Sequence, residues 1–147
     1  MKTNKIIYIF ILFILVVFLT SCKYKPKELN DVEFVKLAEK ITIGDKKGKI
    51  IDFRKIDDFE NGHILSSLLF DLSTKTIDEF KPWLMQYIKD GKILLFIDDG
   101  SNKFNELIQE ANEYKIYYYK AGYDKLKETD EFKSRIVTRT GLDDCGC

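Results

Sequence analysis

Two thiols separated by a single glycine, in Asp143-Asp144-Cys145-Gly146-Cys147, form the most reactive pairing in the 147-residue chain. Such a pair can close a small strained disulfide that exchanges easily. It can also act on a soft metal ion, or belong to a disordered tail in which Cys145 and Cys147 are incidental. His63 is the only histidine, and a lone side chain titrating near neutrality invites an acid or base role. Its setting in Gly62-His63-Ile64 points instead to a structural part, capping or bridging a turn. Asp52 and the adjacent pair Asp98-Asp99 each follow an apolar run. Together they could offer oxygen ligands to a divalent cation, but solvated loop carboxylates are the simpler reading, and neither a metal nor a cofactor is assigned. Arg54, Arg135 and Arg139 are the only arginines, so any planar two-point grip on phosphate or carboxylate must use one of them.

The apolar spacing sets the elements that would carry these groups. Asn30 or Asp31 can cap a helix over 31–40, in which Phe34, Leu37, Ala38 and Ile41 fall on one stripe. After the Gly44–Gly48 turn, Lys49-Ile50-Ile51-Asp52-Phe53 suits a strand covered on both faces, with Asp52 near its end. A helical turn over 56–60 and a second apolar run, Ser67-Leu68-Leu69-Phe70, follow. Helical spacing resumes from Thr76 to Lys89, where Pro82 removes a backbone donor and should kink or restart the helix, and Gly91 is the expected stop. Lys92 to Ile97 is the most strand-like run. It leads into Asp98-Asp99-Gly100-Ser101-Asn102, then a helix from Lys103 and a strand at Ile116-Tyr117-Tyr118-Tyr119. The tyrosines should divide between core and surface, and Trp83 should pack. Strands alternating with helices predict an α/β domain, a mainly parallel sheet with helices on both faces. Short helices to about Arg135 and a polar tail over 136–147 complete the chain.

At the other end, Met1-Lys2-Thr3-Asn4-Lys5 precedes an uncharged apolar run, Ile6 to Leu19, which is shorter than the roughly 20 residues needed to span a bilayer. Leu19-Thr20-Ser21-Cys22 resembles a bacterial lipobox residue by residue. The resemblance implies a signal peptide over 1–21, removed on export, and a diacylglyceryl group on the Cys22 thiol. Acyl chains stabilise membrane attachment by about 0.8 kcal/mol per buried methylene, enough to hold a protein without a spanning helix. Residues 22–30 then read as lipidated N-terminus and stalk. The protein would be exported and anchored on the extracytoplasmic side of a bacterial cell membrane.

The 24 basic and 24 acidic side chains cancel; Lys2 and Lys5 leave with the signal and no acid does, so 22 face 24 and the net charge becomes −2. Nothing in that balance asks for nucleic acid or an anionic membrane surface as partner. With Cys22 acylated, the remaining cysteines lie within the last three positions, and the core has no internal disulfide.

Ile50-Ile51-Asp52-Phe53-Arg54, followed by Phe59-Glu60-Asn61-Gly62-His63-Ile64, resembles the rhodanese-like family. That family carries a strand ending in Asp-x-Arg, an acidic turn, and Gly-His-Ile before a second strand. Asp52, Arg54, Gly62 and His63 hold its motif positions, and the resemblance extends over about 31–135, including Gly122. It implies the rhodanese-like fold and, in its sulfurtransferases, a cysteine heading a tight loop after the central strand. Here that loop reads Ile97-Asp98-Asp99-Gly100-Ser101-Asn102: Gly100 keeps the glycine, Ile97 occupies the nucleophile position and Asn102 the basic one. No cysteine lies between Cys22 and Cys145, so no shift of alignment supplies one.

A persulfide relay needs a thiolate stabilised by loop N–H groups and a helix N-terminus. At about 5 Å and an effective dielectric near 20, Asp98 and Asp99 would each oppose a bound anion by on the order of 3 kcal/mol before salt screening. The expectation is therefore a rhodanese-like domain without sulfurtransferase activity, a tethered binding or structural module for an unidentified protein or small molecule. The alternative is a thiol-dependent sulfur-transfer or redox protein using Cys145 and Cys147. From Arg135 the extended tail reaches about 40 Å, far enough to bring a thiol over the loop.

Overall fold

A computed structural model describes residues 24–88, 93–101 and 103–141. Cys22, Gly91, Asn102, Cys145 and Cys147, on which several expectations fall, lie outside the described residues.

Five parallel strands form the central sheet: β1 (Lys27–Glu28), β2 (Gly48–Asp52), β4 (Ser67–Leu69), β5 (Ile93–Ile97) and β6 (Lys115–Tyr119), in the order β1-β6-β5-β2-β4. A second, two-stranded antiparallel sheet pairs β3 (His63–Ile64) with β7 (Thr138–Arg139). Among the described residues six helices connect the strands: α1 (Asp31–Thr42), α2 (Ile56–Glu60), α3 (Ile77–Tyr87), α4 (Lys103–Glu110), α5 (Gly122–Lys127) and α6 (Asp130–Arg135). The fold is the expected α/β sheet with a helical layer on each face.

Local chemistry sets the boundaries. The Asn30 side chain accepts from Glu33 N at 2.9 Å while Glu33 accepts from Asn30 N, so a reciprocal cap starts α1 at Asp31. The Glu79 carboxylate accepts from both Thr76 N, at 2.7 Å, and Thr76 Oγ1, at 2.9 Å, at the start of α3. That helix runs through Pro82 as a single element, so of the two expected outcomes it does not restart there, and it ends at Tyr87. Gly48 is required by contact, because a Cβ there would stand 2.8 Å from the Ile93 carbonyl oxygen on the neighbouring strand.

Each face of the sheet buries its own core. On one, Phe53 meets Phe70, Phe80, Phe96 and Phe104 edge-on, with ring centroids 5.0–6.3 Å apart, and Trp83 packs against Phe70 and Phe80. Aromatic pairs of this kind contribute about 0.5–1.5 kcal/mol each beyond burial. On the other, Phe34, Val35 and Ala38 of α1 pack with Leu126 of α5 and Phe132 of α6 over Ile50, Leu95 and Ile97. Tyr119 is buried in the second core, while Tyr117 and Tyr118 are only partly buried, against the second and the first core respectively.

The paired structure extends past both expected ends of the domain. Lys27 and Glu28, assigned to the stalk, pair with Tyr117 and Tyr118 of β6, and Leu29 is buried. Thr138 and Arg139, assigned to the polar tail, pair with Ile64 and His63; Leu65 N donates to Val137 O, and Gly141 N to Glu60 O. These segments follow no periodicity of their own and are held by edges the rest of the fold supplies.

Candidate functional site

Asp52 and Ile97 end β2 and β5 as register partners, which brings the Asp52-Phe53-Arg54 segment and the Asp98–Ser101 loop to the same end of the sheet. Between them lies a cavity of about 300 Å³, walled by Phe53, Arg54, Lys55, Asp99, Ser101 and Lys103 among others.

The Asp52 side chain is fully buried and neutralised by Arg54. Arg54 Nε donates to Asp52 Oδ1 at 3.0 Å and Nη2 to Oδ2 at 2.7 Å, and Arg54 N donates to Oδ1 at 3.0 Å. The same guanidinium donates to the carbonyls of Asp58, at 3.2 Å, and Gly62, at 2.8 Å, and lies 3.7 Å from the centroid of the Tyr123 ring. Burial raises the Tyr123 pKa foremost, with Asp52 and Asp124 adding to the rise and Arg54 opposing it. Arg54 is thus spent on internal partners, and Asp52 has little left to offer a cation. Among the described residues no group of three or more histidine, cysteine, aspartate or glutamate side chains is placed to hold a metal.

His63 is buried, stacked on Phe59 with ring centroids 3.8 Å apart and planes within 4°, and its Nδ1 donates to Phe59 O at 3.0 Å. The contact closes the turn between α2 and β3. Its Nε2 is buried with no partner among the described residues. Gly62, next to it, supplies one of the carbonyls that Arg54 grips.

At the head of the loop, Ile97 is fully buried beside Leu95 and Ile50. The backbone then turns through Gly100, whose φ of +78° suits glycine. Two loop amides are already taken: Gly100 N donates to Asp98 Oδ1 at 2.7 Å, and Ser101 N to Asp99 Oδ1 at 2.8 Å. Burial raises the Asp98 pKa, the Gly100 N–H works against the rise, and the Asp99 charge adds to it. Ser101 Oγ is buried without a partner among the described residues. The Lys103 ammonium donates to Leu72 O at 2.9 Å, across the same cavity.

A model of the rhodanese-like domain matches residues 35–129, most of the folded part of the chain. The chain belongs to the rhodanese-like family. No curated protein is similar to it in sequence. Among solved structures, this rhodanese-like domain is similar to the Alr3790 protein from Anabaena sp., with a TM-score of 0.53 and 13% identity over 75% of this chain and 82% of that one. The BH2092 protein from Bacillus halodurans overlaps 86% of this chain and 81% of its own at 10% identity, with a TM-score of 0.47. At such identities the first likeness speaks to fold alone.

The sequence alone did not reveal a second, larger cleft of about 930 Å³, walled by Arg54, Asp58, Gly62, Tyr123, Lys127, Lys133 and the β7 segment through Thr140. Arg54 and Asp58 wall both cavities, so the two adjoin. The signal for it, a strand-forming stretch after α6, is only two paired residues long.

Proposed function

We propose that this rhodanese-like domain does not transfer sulfur and serves as a binding or structural module held on the extracytoplasmic face of a bacterial membrane through an acylated Cys22. The observation that carries the reading is the occupation of the loop. The N–H groups that would hold an anion or a persulfide in this fold are capped by Asp98 and Asp99, and a buried hydrocarbon, Ile97, stands where the relay needs its thiolate. The lipobox-like Leu19-Thr20-Ser21-Cys22 supports the anchor. No helix among the described residues is long and apolar enough to cross a membrane.

The test is thiosulfate-to-cyanide sulfur transfer by the full chain, with intact mass read in parallel for the diacylglyceryl addition. Thiocyanate formation at the background rate is expected, and turnover that survives removal of residues 145–147 would refute the reading.

One observation favours the thiol-dependent alternative. With Gly141 bonded to Glu60 beside the larger cleft, Cys145 lies at most about 14 Å of extended chain from a fixed point, much closer to the site than a tail loose from Arg135 would be. Loss of cyanide-accessible sulfane sulfur in a Cys145→Ser/Cys147→Ser variant would favour this second reading; equal labelling of variant and parent would end it.

A further inference from the structure

Because β1, β2, β4, β5 and β6 are all parallel, every strand runs away from one pole of the domain, and the Asp98–Ser101 loop lies at the other. β1 begins at Lys27, five residues after Cys22 and level with Tyr117, two residues up from the start of β6, so the starting pole stays within about 25 Å of extended chain from Cys22. The side chains there suit a bilayer surface. Among the described residues the two most exposed large apolar side chains are Ile43, 66% exposed in the turn before β2, and Met85, 61% exposed in the last turn of α3; Tyr24, 53% exposed, stands just before β1.

Around them Lys25, Lys40, Lys46, Lys47 and Lys115 are exposed. Among the described residues the acids of the same pole are Glu39, paired with Arg135 at 3.3 Å, Asp45, Glu110 and Glu113, the last paired with Lys81 at 3.2 Å. Gly48 of β2, Ile93 of β5 and Lys115 of β6 form one row across the sheet, which places Lys115 level with the Lys46-Lys47 turn. At the far pole Asp57, Asp58, Asp78, Asp98 and Asp99 stand among four lysines, Lys55, Lys75, Lys103 and Lys120, while Arg54 is already paired with Asp52. Among the described residues the pole where the strands begin is therefore the more basic of the two ends.

We propose that the pole where the strands begin rests on the anionic headgroups of the membrane, Ile43 and Tyr24 at headgroup depth and the lysines around them, so that the cavity at the ends of β2 and β5 faces away from the bilayer. This rests on the anchor reading above. Juxtamembrane lysines are attracted to anionic leaflets within a Debye length, and an apolar tip among lysines is the composition of interfacial contacts. The far pole carries no such excess of lysine.

Lysine acylation of the full chain by a water-soluble ester tests the orientation on two vesicle types, phosphatidylcholine alone and equimolar phosphatidylcholine and phosphatidylglycerol. Lys46 and Lys47 should label about fivefold more slowly on the anionic vesicles, while Lys55 and Lys75 of the far pole stay unchanged. An Ile43→Asp variant should lose that protection. Equal rates at Lys46 and Lys47 on both vesicles, or slowing at Lys55 and Lys75 instead, would overturn the proposal. Intact mass reports acylation of Cys22 separately. A chain without the lipid would refute the anchor, while the lysine rates still decide the orientation.

Discussion

Arg54 grips the fully buried Asp52 with two parallel hydrogen bonds, at 3.0 and 2.7 Å, while its opposite edge ties down the Gly62 carbonyl. The motif that marks this family is here a structural clamp between β2, the α2 turn and α5. Arg54→Lys removes the fork and the stacking on Tyr123, leaving a buried carboxylate with a single-point partner. The variant should unfold with about 3 kcal/mol less stability in urea, the range for breaking one side of a buried pair. Asp52→Asn combined with Arg54→Lys should cost less than the two single changes together; strict additivity would show the clamp to be inert.

Placing a cysteine at the head of the loop should not restore sulfur transfer. Ile97→Cys swaps a fully buried side chain for a smaller one and should cost about 1–2 kcal/mol. The Gly100 and Ser101 amides would remain capped by Asp98 and Asp99, and those charges would disfavour the thiolate. Thiocyanate formation from thiosulfate and cyanide by Ile97→Cys should stay at background, and a measurable rate would show that the missing thiol was the only obstacle.

The buried Asp98 should make the domain more stable in acid than its other carboxylates would suggest. Burial raises its pKa in the folded state, with Gly100 N–H opposing and Asp99 reinforcing the rise. A raised carboxylate contributes stability that is fully present below the unfolded value, near 3.9 by the usual scale, and is lost as pH rises through the higher folded value. Asp98→Asn keeps an oxygen for Gly100 N and removes the charge. Its urea midpoint should exceed that of the parent at pH 7, and the gain should vanish below about pH 3.5; a gain of equal size at both pH values would rule out charge as the cause.

Most of the sheet could be read from the chain because buried parallel strands are continuous apolar runs, as in Ile93 to Ile97, and amphipathic helices repeat at 3.6 residues, as in Phe34, Leu37, Ala38 and Ile41. The position of the loop was equally legible, since it follows the strongest strand. β1 and β7 were not, because two-residue edge segments gain their order from strands they pair with rather than from their own composition. Pro82 does not interrupt α3, because the helix is held by Phe80, Trp83 and Leu84 on the aromatic core, and that packing outweighs one missing hydrogen bond. Nor could spacing tell that Asp98 and Asp99 turn back onto their own loop. Whether an aspartate faces solvent or caps a nearby amide depends on backbone dihedrals that follow from the fold around it.

β7 should act as a strap on His63 and should be separable from the thiols beyond it. Removing residues 142–147 leaves the β3–β7 pairs and the Gly141-to-Glu60 bond in place, so the urea midpoint should not move. Removing residues 137–147 deletes the strap, strips the Leu65 N–H of its Val137 partner and uncovers the strand holding His63 and Ile64. At about 1 kcal/mol for each lost hydrogen bond, before any loss of apolar burial, the cost should be on the order of 3 kcal/mol. Amide exchange over 62–65 should accelerate in the shorter chain only. Equal exchange in both truncations would mean that β3 is held by its contacts with the α1 and α2 side of the core, and that the tail merely lies along it.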